Sequence, residues 1–155
     1  MQLSVLDVCP IPHGATTAQA VEDAVALARR AESLGLARYW VAEHHNTATI
    51  ASSVPSVLIA HLAAATSTLR IGSGGVMLPN HAPLHVAESF RLLEALHPGR
   101  IDLGIGRAPG TDGRTALALR RSAAALHAED FPEQLDELLG FLTDALPADH
   151  PFASV

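Results

Sequence analysis

Short β-branched runs alternate with longer amphipathic stretches at intervals of roughly 30 residues, the length of one strand-helix unit. Four such units are predicted. Leu3 to Val8 reads as the first strand, followed by a helix from Thr17 to Leu34 with Val21, Ala24, Val25, Ala28 and Ala31 at helical spacing. Thr16 or Thr17 caps that helix and Gly35 stops it. Arg38 to Ala42 is the second strand, and Tyr39, Trp40 and Val41 give it the unbroken apolar run of a parallel strand. A helix opened by Ser53, with Pro55 in its first turn, carries Val57, Leu58, His61, Leu62 and Ala65 on one face, so His61 reads as core. Leu69 to Met77 is the third strand, and the next helix starts near Pro83 with Val86, Phe90, Leu93 and Leu96 on one stripe. Arg100 to Gly106 is the fourth strand, before helical stretches at about Thr115 to His127 and Pro132 to Leu146.

This alternation, without a hairpin signal, predicts an α/β chain with a parallel sheet and right-handed crossovers. A doubly wound sheet and a β/α barrel both satisfy it, and both gather ligands at the carboxyl ends of the strands. Polar and glycine residues collect there: Asp7-Val8-Cys9-Pro10, Glu43-His44-His45-Asn46, Gly72-Ser73-Gly74-Gly75 and Gly104-Ile105-Gly106-Arg107. The opposite ends carry plain turns such as Leu34-Gly35-Leu36 and His97-Pro98-Gly99. An active rim and a stability rim leave that asymmetry.

Composition narrows the chemistry. A net charge of −6 without any basic cluster speaks against nucleic acid as a partner. The chain contains no lysine, which removes Schiff-base mechanisms, and no apolar run has the length of a membrane helix. The start, Met1 to Asp7, lacks a basic leader region, and Cys9 is the sole cysteine, so a cytoplasmic, reducing setting is the expectation. Asp7 and Cys9, at the tip of the first strand, are candidates to face substrate, although Cys9 also reads as a small buried hydrophobe.

A metal centre is not expected. His44 and His45 are adjacent and adjacent histidines rarely converge on one ion, His81 and His85 straddle Pro83, and no H-E-x-x-H occurs. That leaves a metal-dependent hydrolase as the weaker alternative. Gly104-Ile105-Gly106 followed by Gly110 lacks the spacing of a dinucleotide fingerprint.

The runs Trp40-Val41-Ala42-Glu43-His44-His45-Asn46, Ile71 to His81 with Pro83, Ala87-Glu88, and Gly99 to Arg107 resemble the bacterial luciferase-like monooxygenase family of flavin enzymes, in order and over nearly the whole chain. The resemblance implies a parallel (β/α)8 barrel of the TIM type, with residues 1–155 as the N-terminal half of one domain and about the first four β/α units present. It implies reduced flavin mononucleotide (FMN) from a separate flavin reductase, O2, and a small organic substrate such as an aldehyde. His44 becomes the catalytic base or hydrogen-bond partner of the oxygenated flavin, its alternative being a packed loop histidine; the side chain of His45 is expected to point elsewhere. Ser73, Gly74 and Gly75 become the bed of the flavin ring, with a non-proline cis peptide at the glycines, against the alternative of a plain β-bulge. Arg107 becomes the phosphate ligand, against a surface ion pair.

Two other readings share the fold: hydride transfer with a deazaflavin coenzyme, and a non-catalytic flavin-binding half-barrel. A closed barrel needs eight strands, so the first and fourth strands should be open edges. Either a C-terminal half, a second copy or a partner completes it, and the isolated half is expected to have little activity.

Overall fold

The computed structural model describes residues 1–108, 110–123 and 130–154. The chain runs β1 (Ser4–Asp7), α1 (Thr17–Ser33), β2 (Arg38–Val41), α2 (Pro55–Ala65), β3 (Arg70–Ser73), β4 (Val76–Met77), a 3-10 turn at Leu78–Asn80, α3 (Pro83–Leu96), β5 (Ile101–Asp102), β6 (Ile105–Gly106), α4 (Gly113–Arg120) and α5 (Phe131–Thr143). Positions 124–127 of the predicted stretch ending at His127 lie outside the described residues.

Local chemistry explains the helix ends. Thr16 closes a capping box on α1: its hydroxyl accepts the Gln19 amide at 3.2 Å, and the Gln19 side chain accepts the Thr16 amide at 2.8 Å. Gly35, at φ +70, ends that helix with the Leu36 amide donating to the Ala31 carbonyl, the six-to-one bond of a Schellman turn. In α2, Pro55 takes the first position, but the cap is Val54 without a side-chain bond, not Ser53. The helix buries Leu58, Ile59, Leu62 and Ala63, whereas His61 is exposed and does not belong to the core as predicted. Val57 and His61 lie four residues apart along one edge of the predicted stripe, and a phase error of one residue, about 100° of rotation, carries them to solvent while Leu58 and Leu62 stay buried.

The main sheet has the order β1-β2-β3-β5, with every pairing parallel, so β1 and β5 are its edges. The predicted third and fourth strands are each interrupted, and their second halves, β4 and β6, pair separately. The break follows from a side chain entering the ladder. The Ser73 hydroxyl donates to the Gly104 carbonyl at 2.9 Å and accepts the Gly104 amide at 3.1 Å, after which the Val76 amide resumes main-chain bonding to the Gly104 carbonyl at 2.8 Å.

Register separates the two faces. Val5, Tyr39, Ile71 and Ile101 lie in one row and pack into the core beneath the helices. Leu6, Trp40, Gly72 and Asp102 form a row on the other face, where Leu6 is 60% exposed. One-sided helical cover is a barrel wall; a doubly wound sheet carries helices on both faces. On the uncovered face Asp102 accepts bonds from Arg38 Nε at 3.0 Å, Trp40 Nε1 at 3.0 Å and the Arg70 guanidinium. Burial alone would raise the Asp102 carboxyl, but the bonds from Arg70 and Trp40 hold it below the usual range.

The plain-turn rim has its own clasp. Glu32, near the end of α1, accepts the amides of Ser67, Thr68 and Leu69 at 2.8, 2.6 and 2.9 Å. These bonds, led by that from Thr68, lower its carboxyl from an ordinary 4.5 to about 2. A depressed folded-state value means that the stabilisation is present above the unfolded value and is lost as pH falls toward the folded one. The stability gap between the native chain and Glu32→Gln is therefore expected to narrow as pH drops from about 4.5 to about 2. Urea midpoints on either side of that window measure it; a gap constant with pH would show that the clasp carries no stability.

Candidate functional site

The carboxyl ends of β1, β2 and β3 lie level, because Asp7 pairs with Val41 and Val41 with Ser73. The segment after β2 and the glycines after β3 consequently leave the sheet side by side, and the Gly74 amide donates to the Val41 carbonyl at 2.8 Å. The peptide between Gly74 and Gly75 is cis. A side chain at either glycine would collide: a Cβ at Gly74 would lie 2.8 Å from Leu6 Cδ1 and 3.1 Å from Trp40, and one at Gly75 2.8 Å from the Ile105 backbone. Both glycines thus permit close packing, the first against the Leu6 and Trp40 side chains and the second against the backbone of Gly104 and Ile105.

His44 is held through its backbone. Its amide donates to the Ser52 carbonyl at 2.9 Å, and the Ser52 hydroxyl returns to the Ala42 carbonyl. The adjoining loop is tied across the rim: the His45 amide donates to the Gly110 carbonyl at 3.3 Å, and the Thr111 hydroxyl donates to the His45 carbonyl at 3.1 Å. These ties bring the loop after β6, which starts with exposed Arg107, beside His44. His44, Asn46, Ala108, Gly110 and Thr111 line a cleft of about 560 Å³. His44 Nδ1 is buried and has no hydrogen-bond partner among the described residues. An unsatisfied buried ring nitrogen beside an open cleft is a place for a ligand atom.

The other expected residues sit differently. Ser73 is fully buried, with its hydroxyl committed to Gly104. Asp7 accepts the Tyr39 hydroxyl and, at 2.8 Å, the Cys9 amide. Cys9 is fully buried with its thiol on the Ala20 carbonyl at 3.4 Å, and burial pushes that thiol up to about 11. Both side chains point to the helix side of the sheet, which a strand-end position alone does not reveal.

The sequence reading missed Glu43. Its carboxylate is fully buried; Oε1 accepts His45 Nε2 at 2.6 Å and His81 Nε2 at 2.8 Å, while Oε2 accepts the Met77 amide at 2.9 Å. Burial alone would raise the carboxyl, but the bonds from His81, His45 and the Met77 amide outweigh it and hold it below its ordinary value. His45 and His81 converge on a common carboxylate. The available signal was Glu43-x-His45, since alternate residues of an extended segment share a side.

The model of the luciferase-like monooxygenase family matches residues 1–151. The chain belongs to the luciferase-like monooxygenase family. A relative named luciferase-like monooxygenase from Escherichia coli strain K12 is 52% identical over 95% of this chain and 44% of its own length. The uncharacterized protein YvbT of Bacillus subtilis strain 168 is 56% identical over 90% of this chain and 41% of its own length. The luciferase-like chain thus spans less than half of these relatives. The crystal structure of apo-MsnO8 superposes with a TM-score of 0.84 at 42% identity, over 99% of this chain and 44% of that one. At fold level only, two further structures align: the oxygenating constituent of 3,6-diketocamphane monooxygenase in complex with FMN, TM-score 0.72 at 21% identity over 92% of this chain and 38% of that one, and an F420-dependent secondary alcohol dehydrogenase, TM-score 0.64 at 19% over 97% and 43%. Among the described residues no helix is long and apolar enough to cross a membrane.

Proposed function

We infer that the chain is the N-terminal half of a flavin-dependent monooxygenase that uses reduced FMN and O2 to oxidise a small organic substrate such as an aldehyde. The observation that carries this reading is the meeting of His44, whose Nδ1 has no partner among the described residues, the Gly74-Gly75 turn and the Arg107 loop on one rim of a luciferase-like sheet.

When bound, FMN supplies the reaction with O2. The remaining work falls to the protein. Gly74 and Gly75 present main chain to a flat ring. Arg107 offers a planar guanidinium suited to phosphate, and being exposed it can reach a phosphate at the rim. His44 holds or moves a proton at Nδ1, a task suited to an imidazole near neutral pH. Ser73 acts indirectly, by holding the main chain next to Gly74. A C-terminal half or a second copy closes the barrel, and a reductase in a cytoplasmic setting supplies the reduced flavin.

Titrating the chain with FMN and following the flavin absorption band tests the binding half of this reading. Arg107→Ala is expected to weaken binding about tenfold, a loss of about 1.4 kcal/mol. His44→Ala is expected to bind FMN nearly as the native chain does. Equal affinity of the native chain and Arg107→Ala would remove the phosphate role.

A further inference from the structure

We propose that Glu43, His45 and His81 form a binding site for a divalent first-row transition ion, with Zn2+ as its best-matched occupant. The site is separate from the flavin reading and does not depend on it.

The donor set is one carboxylate and two imidazoles. That combination suits borderline ions such as Zn2+ and does not suit Mg2+ or Ca2+, which prefer oxygen alone. One ligand atom from each residue lies within 4.8 Å of the other two. The carboxylate is prepared for monodentate ligation, because Oε2 is fixed by the Met77 amide at 2.9 Å and only Oε1 is offered to the imidazoles. Both rings present Nε2 to that oxygen, at 2.6 and 2.8 Å. In a tetrahedral zinc site with bonds of about 2.0–2.1 Å, neighbouring ligand atoms stand about 3.3 Å apart, so an ion opens the His45 and His81 contacts by about 0.7 and about 0.5 Å. His45 and His81 keep 12% and 27% of their side-chain surface exposed, which leaves that freedom on the imidazole side of a fully buried carboxylate.

A second observation supports an ion with an open position. The three side chains form part of the wall of a cavity of about 300 Å³, whose lining also includes His85, Ser56 and Ser89. Water, or the spare imidazole of His85, can complete the coordination there. The ligands come from the segment after β2 and the turn before α3, so occupancy would clamp the strand end carrying His44 to the stretch that follows Gly75.

The test is a titration of the metal-free chain with Zn2+ against a chromophoric chelator, repeated with Co2+ to read coordination from its visible absorption. One equivalent bound at micromolar affinity or tighter is expected, with the strong visible bands of four-coordinate cobalt. Glu43→Gln and His81→Ala should each weaken binding at least about tenfold. His61→Ala, which removes an exposed histidine on α2, should leave it unchanged. Circular dichroism checks each variant, and should Glu43→Gln fail to fold, the partly exposed His81 decides the matter. Zinc binding that is absent, or that survives both ligand substitutions, overturns the proposal.

Discussion

His44→Ala is expected to lower turnover about 10²–10⁴-fold in a completed barrel supplied with reduced FMN, O2 and an aldehyde, the range associated with losing a positioned proton-transfer group. Flavin affinity should change little, because the variant keeps the glycine backbone and Arg107. The expectation starts from Nδ1, which is buried without a partner among the described residues and so can take one from a ligand. Oxygen consumption compared with product formed measures the effect. Turnover equal to that of the native enzyme would assign His44 to packing and leave the rim without a proton carrier.

Gly72→Ala is expected to cost about 3 kcal/mol or more, at the upper end of overpacking effects. A Cβ there would stand 2.4 Å from the Asp102 carbonyl oxygen and 2.6 Å from Asp102 Cβ, well inside contact distance. Its obstacle is backbone of the paired strand β5, so the clash cannot be relieved by a rotamer change. Parting β3 from β5 would also disturb the Asp102 bonds to Arg70 and Trp40. Against a total stability of about 5–15 kcal/mol for a typical domain, such a loss is large. Gly113→Ala makes the comparison clean, since a Cβ at that position in the first turn of α4 meets nothing within 4 Å. Urea midpoints for the two variants should differ widely; coincident midpoints would mean that the sheet can spread at this point without cost.

Glu43 bears on both the candidate flavin rim and the proposed ion site. Its carboxylate joins the segment before His44 to the Met77 amide, and it does so from a fully buried position. A buried charge needs compensating donors, and His45, His81 and Met77 supply them. The sequence reading weighed these histidines as metal ligands and set them aside, because His44 and His45 are adjacent and His81 and His85 straddle Pro83. Parallel strands with crossover helices bring such distant segments together, and no local pattern records which ones meet.

Composition and periodicity by themselves determined the strand-helix order, the parallel sense of the sheet and the rim on which polar and glycine residues collect, because alternation, caps and glycine stops act over a few residues. The motif resemblance to luciferase-like monooxygenases was carried by contiguous runs and agrees with the family match. Tertiary structure alone decided which way side chains face. It turned His61 outward, took Asp7 and Cys9 to the helix side, cut the third and fourth strands at the Ser73–Gly104 contact, and gathered His45 and His81 around Glu43. Facing depends on register and on neighbours supplied by remote segments, and a single residue of phase reverses it.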